Sequence, residues 1–115
     1  LKKRKKLQEI KICVLDNSLR ESTVGQTRGH TPNDKYEILG WAKKCGFRNL
    51  IVASFGPTRR VDDAFCEHLA AQGEDVCDLW TFTDDADTTK DGMMMFGEDH
   101  IPIALAKTKK YGLKN

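Results

Sequence analysis

Val14–Thr23 reads VLDNSLREST, an apolar run that closes on Asp16 and is followed at once by Arg20 and Glu21. Extended upstream to Ile10 the run becomes IKICVLD, nearly continuous and rich in β-branched residues. That pattern belongs to a strand covered on both faces, as in parallel sheets, rather than to one with a wet face. Two further runs follow, NLIVASF over Asn49–Phe55 and VCDLWTF over Val76–Phe82, the last with more alternation.

Helical segments fill the intervals. Thr31 is a capping residue, Pro32 suits the first helical position, and Asp34 completes a capping box with aspartate in place of glutamate. Tyr36, Leu39, Ala42 (or Lys43) and Cys45 recur at helical spacing, and Gly46 stands where a helix closes. A second helix carries Val61, Phe65 and Leu69 and stops at Gly73. A third is expected from Asp99 or Ile101, with Pro102 in its first turn, Leu105 inward and Gly112 at its end. Strand starts near Ile12, Leu50 and Val76 lie 38 and 26 residues apart, which suits right-handed crossovers. The fold class expected is therefore α/β, a parallel βαβαβα series. Ligands of such sheets sit at the carboxyl ends of the strands, here after Asp16, Phe55 and Phe82. The longest connections, RESTVGQTRGH and TDDADTTKDGMMMFGED, fall on that same side.

Size and composition set the frame. A chain of 115 residues is one domain's worth, long enough to bury a core of its own. Charged residues make up 31% and the hydrophobic set 39%, a globular composition without a run of the ~20 apolar residues that cross a bilayer. Five of the first six residues, LKKRKK, are basic, so of the net charge of +2 the remainder carries about −3. The basic character belongs to a terminal segment, residues 1–9, and the domain proper to residues 10–115. A solvated chain end accounts for that segment more simply than an import signal or a polyanion contact. A first residue Leu1 and the lack of a signal-peptide pattern suggest a processed fragment. Cys13, Cys45, Cys66 and Cys77 have no CxxC spacing and no histidine partner set for zinc. They are expected as reduced, buried thiols in a cytoplasmic, reducing compartment.

Arg20 and Glu21 carry the chemistry. A guanidinium at a strand end holds a carboxylate or carbonyl bidentately and stabilises charge developing on an enolate oxygen. An adjacent carboxylate is a ligand for a hard divalent cation. The plain alternative is a surface ion pair of little energetic weight.

The run VLDNSLRESTVGQTRGHTPNDKYEILGWAKKCGFRNLIVASFG resembles the first strand, loop, helix and second strand of the DRE-TIM metallolyase superfamily, which includes 3-hydroxy-3-methylglutaryl-CoA lyase and the isopropylmalate and homocitrate synthases. The family's D-x-T-L-R-D motif is similar to DNSLRE here, and the distance from Arg20 to Thr31 and Lys35 fits the synthases without a gap. The resemblance implies the first three βα units of a (β/α)8 barrel. It implies a parent enzyme that cleaves or forms a carbon–carbon bond through an enolate, as a lyase, aldolase or acyltransferase. A divalent metal (magnesium, manganese or zinc) is the implied cofactor, and a keto acid or acyl-CoA the implied partner. Arg20 would stabilise the enolate, Glu21 would ligate the metal, and Asp16 would have an orienting role. Gln26 stands two positions beyond Val24, where the family has a glutamine.

The chain departs from the pattern in three respects. Glu21 replaces an aspartate, and Val52 occupies the second-strand position of a catalytic glutamate. The family's late-strand histidines would lie beyond Asn115, and His30, His68 and His100 do not form an H-x-H pair. Val52 and the Glu21 replacement favour an alternative, a degenerate non-catalytic relative acting as a binding or interaction module. A stand-alone module whose basic segment binds nucleic acid ranks last. TDDADTTKD lacks the spacing of a calcium loop and reads as solvated, and MMMF reads as loop packing. Three parallel strands leave two edges unpaired, so the isolated polypeptide is expected to self-associate or to adopt an alternative open packing of the same elements. With three of the barrel's eight units it is expected to be inactive.

Overall fold

The computed structural model describes residues 9–21, 29–82 and 101–115. Within them the order is β1 (Leu15–Asp16), α1 (Ser18–Glu21), α2 (Pro32–Lys44), β2 (Asn49–Ser54), α3 (Val61–Ala71), β3 (Leu79–Phe82) and α4 (Ile103–Lys110). The strands form one sheet in the order β1-β2-β3, with both pairings parallel. Leu15 pairs with Asn49 and Asp16 with Leu50. On the other side Leu50 pairs with Leu79 and Ser54 with Phe82, across an irregularity between Ile51 and Ala53. The expected mixed α/β class and parallel sheet are both present.

Local chemistry explains the helix ends. The Thr31 hydroxyl accepts from the Asp34 backbone N–H at 3.2 Å, and the Thr31 N–H donates to the Asp34 carboxylate at 2.7 Å. The aspartate version of the box is therefore complete. Beyond Lys44 the chain turns through Gly46 at φ +88°, a conformation that side chains with a Cβ resist. Helix α3 starts with the Arg60 N–H donating to the Asp63 carboxylate at 2.8 Å. It buries Phe65, Cys66 and Leu69. None of the described helices is long and apolar enough to cross a membrane.

The core lies between β2 and the helices. Leu50, Ile51, Val52 and Ala53 are all buried, as the continuous apolar run predicts for a central strand. Leu39, Phe65, Leu69 and Leu79 join Leu50, Val52 and Ala53 in one buried cluster, together with Ala104, Tyr111 and Leu113.

Four expectations need correction. The strand expected over Ile10–Asp16 pairs only at Leu15 and Asp16, and Ile12 is 81% exposed. Its partner β2 begins at Asn49, opposite Leu15, so the residues upstream have no ladder to join. The third strand starts at Leu79 instead of Val76. There the Asp75 carboxylate accepts the Cys77 N–H at 3.0 Å, a local turn that competes with the ladder. In α4, Ala104 and Thr108 face inward while Leu105 is 46% exposed. One residue along a helix is a rotation of about 100°, and Pro102 caps α4 from a non-helical φ/ψ, so the helix begins at Ile103 with a different face inward. Finally, all four cysteines are free, but only Cys66 is buried.

Candidate functional site

Because the strands run parallel, Asp16, Ser54 and Phe82 end them on one side of the sheet. Immediately after β1 the chain coils into the single turn α1. Asp16 sets that turn: its two carboxylate oxygens accept the Ser18 N–H and the Ser18 hydroxyl, each at 3.1 Å. The Asn17 carbonyl then accepts the Arg20 and Glu21 N–H groups at 3.0 and 3.1 Å. Leu19 is wholly buried, which anchors the turn.

The turn carries Arg20 across the end of the sheet. Its guanidinium carbon stands 4.8 Å from the centre of the Phe82 ring, the last residue of β3, a cation–π contact between the exits of the two outer strands. Nη1 lies 3.3 Å from Glu21 Oε1. The Arg20 side chain is 31% exposed, so most of it is held against the protein. Glu21 is more exposed and also accepts from the Asn17 side-chain amide. Asp16, Arg20 and Glu21 are thus brought together, while Gln26 lies outside the described residues.

Beneath this turn sits a charged pair that the linear pattern reading missed. The Lys35 ammonium lies 2.7 Å from Asp62 Oδ1, 2.6 Å from the Leu19 carbonyl and 3.3 Å from the Val52 carbonyl. The other Asp62 oxygen accepts the Ser54 N–H at 2.9 Å. A signal existed: Lys35 is four residues before Leu39 on the same stripe of α2, and Asp62 precedes Cys66 and Leu69 on the stripe of α3. Opposite charges on two facing apolar stripes predict a buried ion pair.

A second polar cluster fastens α4. Lys107 lies 2.9 Å from Asp63 Oδ1 and donates to the Gly56 and Thr58 carbonyls at 2.7 and 3.1 Å. The Tyr111 hydroxyl donates to Asp63 at 3.1 Å. Burial, reinforced by the Asp63 carboxylate, raises the pKa of that hydroxyl, so it stays a donor at neutral pH.

The donor set for a divalent cation is incomplete. Among the described residues no three His, Cys, Asp or Glu side chains gather at one point. Asp16 is engaged by Ser18, and Glu21 has a guanidinium beside it. His68 packs against the Tyr36 ring instead of facing Arg20. His100, the acidic run over residues 84–91 and Met93–Phe96 lie outside the described residues. Two concavities, of about 340 and 390 Å³, open at the opposite, amino-terminal end of the sheet, beside Phe47 and Arg48. No family model matches this chain, and no curated protein or solved structure matches it at a significant level.

Proposed function

We propose that this chain forms the opening βα units of a barrel of the DRE-TIM metallolyase type, and that Arg20 stabilises an enolate formed next to a carbonyl of a keto acid or acyl-CoA. The observation that carries the reading is Arg20 itself, its guanidinium held over Phe82 at the carboxyl ends of parallel strands, beside Glu21. Two features of the fold support the barrel. Sequential strands are spatial neighbours, and after α4 the chain returns to the free edge of β3, where the Asn115 carbonyl accepts the Thr81 N–H at 3.1 Å.

In this reading the bond between the alpha carbon and a hydroxyl-bearing beta carbon breaks, and its electron pair forms the enolate. The hydroxyl gives its proton to a general base, which no described residue is assigned to be, and becomes a carbonyl. Arg20 directs a charge-assisted N–H bond at the oxygen that gains charge. In the synthase direction the same enolate carbon attacks an acceptor carbonyl. Asp16 contributes by shaping the turn that presents Arg20. Glu21 is one oxygen donor toward a divalent cation, and the described residues do not complete the set, so no step is assigned to the metal.

The second reading, a non-catalytic binding module, draws on Val52. Its side chain is fully buried at the strand position where the family keeps a glutamate, so β2 supplies no proton acceptor there.

Titration calorimetry of manganese and oxalate, a planar mimic of a 2-oxo-acid enolate, tests the proposal. Arg20→Ala should weaken oxalate binding about 10- to 100-fold, the worth of a charge-assisted bidentate contact. Glu21→Ala should weaken manganese binding. Equal oxalate affinity in wild type and Arg20→Ala rejects the enolate role. Oxalate binding without exchange of the substrate's alpha hydrogen into heavy water selects the binding module.

A further inference from the structure

We propose that Lys35 is the positioning residue for Arg20, an inference that rests on reading Arg20 as the group that meets the substrate's negative charge. An ammonium has three N–H donors and no acceptor. Here three acceptors surround it: the Leu19 carbonyl, the Val52 carbonyl and Asp62 Oδ1. Each comes from a different element. Leu19 belongs to α1, Val52 to β2 and Asp62 to α3, while Lys35 itself rises from α2. One buried cation therefore joins four elements.

The Leu19 contact matters most. Its carbonyl and the Arg20 nitrogen belong to one planar peptide group, so holding that oxygen at 2.6 Å orients the plane from which the Arg20 Cα departs. A turn of four residues has little stability of its own. Asp16 holds it from its start, Leu19 by burial, and Lys35 from beneath. The Val52 contact supplies the fixed reference. Val52 falls in the register shift between Ile51 and Ala53, where a strand residue is set aside from the ladder, and its carbonyl accepts from Lys35. Arg20 is thereby registered against the centre of the sheet through a single side chain. Lys35 is wholly buried, with two carbonyls accepting from its ammonium and Asp62 paired to it, so its contacts are with the protein itself.

An apolar pair would serve stability as well as this ion pair does, so stability alone does not explain a lysine here. That distinction makes the test. Lys35→Met/Asp62→Asn removes both charges together and keeps an acceptor for the Ser54 N–H, so no lone charge is left in the core. In this variant, amide hydrogen exchange at Arg20 and Glu21 should accelerate at least tenfold relative to the amides of α2 and α3. Oxalate affinity should fall several-fold, and adding Arg20→Ala should cause no further loss beyond that of Arg20→Ala alone. Asp62→Asn by itself keeps the Leu19 contact and should leave exchange at Arg20 in step with the rest of the fold. Exchange at Arg20 that rises only in proportion to global destabilisation in the double variant, or faster local exchange in Asp62→Asn, overturns the inference. If oxalate fails to bind the wild type, the enolate reading falls, and the exchange measurements still decide whether Lys35 holds the turn.

Discussion

Lys35 Nζ and Asp62 Oδ1 stand 2.7 Å apart, with side chains 0% and 2% exposed. The two charges removed from water offset each other, and each has polar contacts besides, Lys35 with two carbonyls and Asp62 with the Ser54 N–H. Asp62→Ala strands the ammonium and leaves the Ser54 N–H without its carboxylate. It should cost about 3–5 kcal/mol, the usual loss when one partner of a buried pair is removed. Urea unfolding followed by circular dichroism measures this, and a loss below about 1 kcal/mol would mean that water reaches the pair.

Phe82→Ala addresses the other support of Arg20. The ring stacks on the guanidinium from the end of β3 but is itself nearly half exposed, so the core does not depend on it. A cation–π contact at such a site is worth about 0.5–1 kcal/mol, which predicts a two- to fivefold weaker affinity for oxalate with little change in the unfolding midpoint. Affinity equal to wild type would show that the ring does not hold Arg20.

Thr31→Ala removes the hydroxyl half of the capping box that starts α2. A loss of about 1 kcal/mol is expected, seen as a fall of roughly 3–6 °C in Tm for a domain of this size. Asp34→Ala removes the other half. The double variant should lose less than the sum of the two, because both act on one reciprocal pair.

Alkaline pH should unfold the protein by way of Cys66 and Tyr111. Burial pushes the Cys66 thiol from 9.0 up to about 12, with the Asp62 carboxylate adding to it. Burial and Asp63 raise the Tyr111 hydroxyl in the same direction. Both groups hold their protons more tightly folded than unfolded. Stability is therefore fully present below about pH 9 and falls as pH rises toward about 12, by an order of 4 kcal/mol from the thiol alone. Urea midpoints between pH 7 and 11 follow this limb, and Cys66→Ala should make it shallower, leaving the part due to Tyr111.

Thiol labelling should separate the cysteines. Cys13, Cys45 and Cys77 are exposed and should react with an aromatic disulfide reagent in the native state, whereas Cys66 should react only after denaturation. Cys77 should be slow, because its hydrogen bond to Asp75 raises its pKa and depletes the thiolate. A fourth reactive thiol in native protein would contradict the packing around α3.

What could be read from the linear chain was whatever depends on neighbours within a few residues. Thr31, Pro32 and Asp34 start α2, Gly46 and Gly73 end helices, and LIVA makes a central strand; all of these act over one turn or one β step. Their physics is complete in a short segment, so pattern and structure agree. The parallel order of the sheet followed from the spacing of those same segments. Tertiary structure decided everything that needs a distant partner. Ile10–Val14 carries a strand-like pattern, yet β2 begins too late to pair with it, and hydrogen-bond ladders require two chains. Leu105 faces outward because the face of α4 is chosen by what it packs against. Arg20 and Glu21 were visible as candidates. Their support from Phe82, Lys35 and Asp62 comes from residues up to 62 positions away, brought within a few ångströms only when the parallel strands stack their ends on one side.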